Sequence, residues 1–333
     1  MATPIAAHST DIQINSILIA TDFSPASAKA LRHAVSIAEH YGAMLFLVHV
    51  VSSIGLRMAG PDAIVEATTA AQRDAMFTER QLVASGALAG IHHHVIVRPG
   101  DDVWSELQAI VLKEGIDLLV IGIHHRAGFR KVMLGSVAEQ IFRQAQCRVL
   151  TVGPGAPPEA LLKPGSSPGS LLFPTDFSVA SLRALPFALS LANVRGNRLV
   201  LLHAAIPSFE TDGYRTCTVD DAVAMLDAQR ALIRERLKGL VAHAHLEVEP
   251  AFAACTEDPA GGILRTARSH HAELIVMGLK HRTHVAAICH SPWSIAHDVA
   301  CGASCPVLTV RSGCSRKSGS GPGNRKDANE TLF

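Results

Sequence analysis

The chain has no pair of cysteines spaced as CxxC, and its seven cysteines are an odd number. Six of them follow residue 200. That distribution makes no disulfide framework, and reduced thiols in a reducing compartment are expected. No apolar run is long enough to cross a bilayer; runs such as MLFLVHVV, residues 44–51, have the length of a strand. Residues 1–16 contain neither Lys nor Arg and do not read as a secretory leader, so a cytoplasmic location is expected. The formal net charge of +1 gives no general attraction to nucleic acid or to an anionic membrane. Neither HExxH nor the Walker motif GxxxxGK[ST] occurs, so no catalytic residue is assigned.

What is present is a large supply of core. Hydrophobic residues make up 48% of the chain and charged residues 18%, which excludes global disorder. A length of 333 residues exceeds one ordinary core and fits two domains. The sequence also repeats itself. ILIATDFSPASAKALRHAVSIAEHYGAMLFLVHV (17–50) aligns with LLFPTDFSVASLRALPFALSLANVRGNRLVLLHA (171–204), so that Asp22 matches Asp176, Gly42 matches Gly196 and His49 matches His203. DLLVIG (117–122) aligns with ELIVMG (273–278), and CRVLTV (147–152) with CPVLTV (305–310). The offset drifts only from 154 to 158 residues across the whole unit. This is a duplicated domain with small loop insertions, not a short-period solenoid.

Within each copy, apolar strand-length runs alternate with helical patterns. SILIATD is a buried strand, and SPASAKALRHAVSIAEHYG is a helix with Ser24 as N-cap, Pro25 at its first position and Gly42 at its exit. Residues 62–90 are helical by composition, HHHVIVRPG is a strand, and DDVWSELQAIVLKEG is a helix ending at Gly115. Near-continuous apolar strands between helices predict an α/β fold in which a parallel sheet is covered on both faces. The expected organisation is a flexible start (1–14), a first domain (15–153), a Pro/Gly/Ser linker (154–169), a second domain (170–311) and a disordered basic tail (312–333).

In an open parallel sheet, ligands bind beyond the carboxyl ends of the strands, where strand order reverses. Four features of the first copy end there: Asp22 after the first strand, Val50 after the second, Gly122 after the fourth, and the helix start at Gly135-Ser136. The first N–H groups of a helix lack partners within it and attract phosphate. Ser136-Val-Ala-Glu139 is also a capping-box sequence, which accounts for Ser136 without a ligand. Asp22 is placed to accept from a ribose or from an adenine amino group, while turn former or helix cap is the commoner role of an Asp at a strand end. Arg126, Arg130 and Lys131 either neutralise phosphate or form a solvated loop face.

The Asp at the end of the first strand, the loop of the form G-x2-G-x9-G-[ST] and the closing CPVL-type strand resemble the universal stress protein family in its tandem form. The resemblance covers both copies. It implies two tandem, open, Rossmann-like five-stranded parallel sheets of order 3-2-1-4-5, and ATP as a regulatory ligand of the first domain. The family's nucleoside contacts fall on Asp22 and Val50, and its phosphate-loop contacts on Ile121, Gly122, Gly135, Ser136 and Val137. His125 stands where the loop has its second glycine. A side chain there opposes close backbone approach, and in a left-handed conformation it costs roughly 1–2 kcal/mol. The second copy keeps Gly278 but has His281 and Ser291-Pro292 at the other positions, and Pro292 removes one N–H donor. Poor nucleotide binding is expected there. The second copy is expected to pair with the first as an internal pseudo-dimer through residues 148–152 and 306–310, and a further homodimer is an open expectation. Hydrolysis of bound ATP is expected to be slow at most. The alternative is a nucleotide-free interaction scaffold.

Eighteen histidines offer a metal-binding alternative. The run at 92–94 opens a strand, where neighbours point to opposite faces and do not ligate one ion. His297 and Cys301 share a helical spacing suited to zinc, but a buried thiol and a capping histidine explain them too. No metal site is assigned.

Overall fold

The computed structural model describes residues 12–124, 135–158, 161–162, 169–204, 219–256, 258–279 and 292–311. The first half runs β1 (Ser16–Ala20), α1 (Pro25–Tyr41), β2 (Met44–Ser52), α2 (Pro61–Ala84), β3 (His93–Gly100), α3 (Val103–Glu114), β4 (Leu118–Gly122), α4 (Ser136–Gln144) and β5 (Arg148–Val152). The second half runs β6 (Ser170–Pro174), α5 (Val179–Leu182), α6 (Leu185–Arg195), β7 (Arg198–Ala204), α7 (Val219–Val241), β8 (Ala251–Cys255), α8 (Pro259–Ser269), β9 (Ala272–Leu279), α9 (Pro292–Gly302) and β10 (Val307–Arg311).

The helix signals of the sequence act as local chemistry predicts. Ser24 caps α1 by accepting from the Ser27 N–H, and Gly42 ends it in the left-handed conformation at φ 63°. Asp102 caps α3, and Gly115 closes it at φ 62°. The second copy departs from the first at one point. The 17-residue α1 corresponds to two shorter helices, α5 and α6. Pro186 stands where α1 has Arg32. It offers no N–H to the Leu182 carbonyl and its ring crowds that carbonyl, so the helix stops and restarts.

In each half the strand order is 3-2-1-4-5 in that half's own numbering, and every pairing within a half is parallel. The two fifth strands then lie side by side and antiparallel, so that ten strands form one sheet in the order β3-β2-β1-β4-β5-β10-β9-β6-β7-β8. At this seam Val307 faces Thr151, Leu308 faces Leu150 and Thr309 faces Val149. The Thr151 hydroxyl donates to the Val307 carbonyl at 3.1 Å, and the Thr309 hydroxyl to the Val149 carbonyl at 3.2 Å. An apolar outer strand left unpaired is an aggregation hazard, and the seam covers both.

One hydrophobic cluster runs across both halves on a single face of the sheet, from Ile17 and Leu45 through Leu150 and Leu308 to Phe173 and Leu201. The opposite face carries two clusters, one around Trp104 and Leu107 of the first half and one around Ile263 and Val299 of the second, and the latter also takes in Ile123 and Phe142 from the first half. Ile14, within the start expected to be loose, is buried in the shared cluster. The described part of the linker is held against α1: Lys29 donates to the Pro154 and Ala156 carbonyls, Arg32 to that of Pro158, and Leu161 and Leu162 are buried.

Candidate functional site

A turn of unusual backbone builds the site. After β1, Phe23 is left-handed at φ 59°, a conformation that costs a non-glycine residue roughly 1–2 kcal/mol. Local contacts hold it. The Phe23 N–H donates to Thr21 Oγ1 at 3.0 Å, and the Phe23 ring lies 4.8 Å from that of His49. His49 Nδ1 donates to the Thr21 carbonyl at 2.7 Å, which ties β2 to the end of β1. The turn brings the Asp22 carboxylate to the carboxyl edge of the sheet. There Oδ1 accepts from the Ser24 N–H at 3.1 Å, and Oδ2 lies 2.9 Å from Nε2 of His124, which follows β4.

Burial pushes the Asp22 carboxyl up. Hydrogen bonds from the Ser24 and Ser27 hydroxyls and the Ser24 N–H, with the charge of His124, outweigh that and hold it below the usual carboxylate range. A carboxyl depressed in this way stabilises the fold above its unfolded pKa, and the gain is lost as pH falls through the lower folded value. With the side chain about half exposed, solvent screening keeps that contribution small. The consequence for chemistry is that Asp22 stays an anion, an acceptor only, through the neutral range.

The other side of the crevice is the start of α4. Gly135 is its N-cap at φ −64°, and Ser136 is its first helical residue. No side chain caps this helix, so Ser136 does not close a capping box, and Glu139 pairs with Arg143 at 3.1 Å instead. The first intrahelical bond runs from the Glu139 N–H to the Gly135 carbonyl. The N–H groups of Ser136, Val137 and Ala138 therefore have no partner within the helix. The body of α4 is fixed by the buried Ile141 and Phe142, by a Trp104 Nε1–H bond to Gln144 Oε1 at 2.8 Å, and by the Arg311 guanidinium donating to the Phe142 carbonyl.

These pieces surround one cavity of about 290 Å³ at the carboxyl edge. Asp22 lines it from the β1 turn, Val50 from β2, Ile121 and Gly122 from β4, and Gly135, Ser136 and Val137 from α4. His125, Arg126, Arg130 and Lys131 lie outside the described residues. Thr21, Ser27, His49 and His124 also line the cavity, and sequence reasoning had not placed them. The signal for three of them is in the repeat: Thr21 recurs as Thr175, Ser27 as Ser181 and His49 as His203. His124 has no such signal.

Gly122 serves packing. A Cβ there would lie 2.5 Å from the Ala26 carbonyl oxygen and 2.9 Å from the Ser27 nitrogen, both backbone of α1. Gly278 meets Ala180 and Ser181 of α5 in the same way. Gly122→Ala is expected to destabilise the chain by roughly 1–3 kcal/mol, because rigid backbone has to move. Urea unfolding of the variant measures this, and an unchanged midpoint contradicts the close approach.

The second half repeats the turn. Phe177 is left-handed at φ 58°, Asp176 accepts from the Ser178 N–H at 3.0 Å, and His203 donates to the Thr175 carbonyl at 2.7 Å. Its cavity is smaller, about 120 Å³, and is lined by Asp176, Gly278 and Ile295 among others. α9 begins at Pro292; His281 and Ser291 lie outside the described residues. Among the described residues no group of three His, Cys, Asp or Glu side chains is placed to hold a metal ion, and no helix is long and apolar enough to cross a membrane.

A doubly wound α/β unit, present twice, with a crevice at each switch point, is the class this architecture defines. The family model for the universal stress protein family matches residues 13–153 and again 169–311. The chain belongs to the universal stress protein family, in a tandem two-domain arrangement. It is 29% identical over 140 residues to universal stress protein MJ0531 of Methanocaldococcus jannaschii, covering 41% of this chain and 80% of that protein. It is 28% identical over 146 residues to universal stress protein YxiE of Bacillus subtilis, covering 41% of this chain and 98% of that one. In fold it is similar to a universal stress protein from Archaeoglobus fulgidus, with a TM-score of 0.62 at 20% identity over 90% of this chain and 99% of the other.

Proposed function

We propose that the first half binds ATP as a regulatory ligand and that occupancy alters the contacts the chain makes with partners. The observation that carries this reading is the convergence of Asp22, Val50, Gly122 and the start of α4 on one cavity. A nucleoside has hydroxyl and amino donors, and an ionised Asp22 accepts from them. A triphosphate is an anion, and the Ser136 and Val137 N–H groups at the positive end of α4 suit it. The absence of a capping side chain supports the same assignment, because nothing on the helix itself occupies those donors. In this reading the two domains are residues 15–153 and 170–311, the chain works in the cytoplasm, and ATP turnover is slow or absent. The halves act as an internal pseudo-dimer through β5 and β10, with a homodimer of whole chains as a further level. The second half binds nucleotide weakly, since Pro292 withholds a donor.

A nucleotide-free scaffold is the second reading. The pairing of Asp22 with both Ser24 and His124 favours it, because the carboxylate is satisfied without a ligand. Titration calorimetry with ATP separates the two. Asp22→Asn is expected to weaken binding roughly tenfold at neutral pH, the loss of a charged hydrogen-bond acceptor. Because the Asp22 carboxyl is held low, that difference persists as pH falls to the ordinary carboxylate range and closes only below it. Wild-type protein that gives no heat with ATP supports the scaffold.

A further inference from the structure

We propose that Cys301 is an oxidisable thiol activated by His297, at a site separate from the nucleotide cavity. Three residues of α9 form the arrangement. Cys301 Sγ lies 4.0 Å from His297 Nε2, the outer limit for a hydrogen bond to sulfur. The other ring nitrogen, Nδ1, lies 3.2 Å from Asp298 Oδ1. A carboxylate only accepts, so Nδ1 carries the proton and Nε2 turns its lone pair to the sulfur. The imidazole thus bridges thiol and carboxylate. It is placed to take the thiol proton, and Asp298 stabilises the imidazolium that results.

Exposure grades outward along the relay. Cys301 is 9% exposed, at the edge of the second-half cluster, while the His297 and Asp298 side chains are 24% and 64% exposed. Cys305, four residues on, is the internal contrast. It is 1% exposed, and burial, with the charge of Glu273, pushes its thiol up to about 12. Among the described residues, α8, β9 and β10 pack most closely against α9, and their charged groups are Arg265 and Arg268, Glu273, and Arg311 respectively; Glu139 and Arg143 of α4 lie on a helix that shares the same cluster. The carboxyl end of α9 opposes a thiolate at Cys301, in its last turn, so the His297 imidazolium has to supply the stabilisation.

The reaction is attack of the Cys301 thiolate on one oxygen of a hydroperoxide. An S–O bond forms as the O–O bond breaks, and the departing hydroxide or alkoxide takes the proton from His297. The thiol is oxidised to a sulfenic acid, and the hydroperoxide is reduced to water or an alcohol.

The test treats the full chain with hydrogen peroxide, traps sulfenic acid with a cyclic dione, and follows each cysteine-containing peptide by mass spectrometry. Iodoacetamide alkylation across a pH series gives the thiol's titration. Cys301 is expected to react at least roughly tenfold faster than Cys305 in the folded chain. His297→Gln is expected to slow Cys301 by a similar factor and to move its alkylation midpoint to higher pH. Asp298→Asn changes an exposed carboxylate and covers the case in which the histidine variant folds poorly. Slower alkylation shifted to higher pH in that variant supports the relay. Equal rates at Cys301 and Cys305, or an alkylation profile unmoved by either substitution, overturn it.

Discussion

Adenine nucleotide is expected to accompany the purified chain and to leave it on heating, whereas Gly135→Val protein is expected to carry none. The expectation rests on what Gly135 does and does not touch. Its φ is negative, and an added Cβ meets nothing within 4 Å, so the fold does not depend on a glycine here. Yet Gly135 lines the cavity directly before the Ser136 and Val137 N–H groups. A branched side chain at that position fills the space through which a phosphate reaches them. Two charge-assisted hydrogen bonds contribute on the order of 3 kcal/mol together, so affinity is expected to fall by about a hundredfold or more. Thermal stability is expected to stay close to wild type. Gly135→Val protein that still releases nucleotide places the phosphates elsewhere.

The second large effect is expected at the seam. Leu308 and Leu150 face each other across β10 and β5 at 6% and 1% exposure. Leu308→Asp puts a carboxylate into the cluster shared by both halves; the Arg148 guanidinium that lines the same small cavity is already held over the Phe187 ring and on the Asp117 carbonyl. Taking the new charge out of water costs on the order of several kcal/mol even with a cation in reach, so the urea midpoint is expected to drop steeply. Leu112→Asp, on the exposed face of α3, is the control and is expected to change stability by less than about 0.5 kcal/mol. A Leu308→Asp chain as stable as the control contradicts the ten-stranded sheet.

Much of this architecture is legible in the amino-acid pattern. The drift of the repeat offset from 154 to 158 residues is enough to define two equivalent units. The alternation of apolar runs with capped helices gives the parallel sheet, and the resemblance carried by the glycine loop supplies its strand order. That the halves meet at the CRVLTV and CPVLTV strands is what the family resemblance implies, and neither it nor the repeat gives the register that pairs Thr151 with Val307. Register at such a seam depends on side-chain packing between segments far apart in sequence. The break between α5 and α6 has a visible cause in Pro186, which the close match to the first copy conceals.

The site is legible in part. Asp22, Gly122 and Gly135 are strand-end or helix-start positions, and Val50, expected after the second strand, lies two residues inside the end of β2; topology alone gathers them. Their individual roles are not. Gly122 resembles a phosphate-loop glycine, yet it is required by the approach of α1. Ser136 resembles a capping residue, yet it sits one position inside the helix. His124 gives no periodic or motif signal, and only the fold brings it within 2.9 Å of Asp22.

Hydrogen exchange with and without ATP reads the central claim at the residues themselves. Slower exchange at the amides of residues 136–138 and 23–24, with the start of α9 unchanged, is the predicted result. Exchange that ATP leaves unaltered at the start of α4, while the chain stays folded, would contradict it.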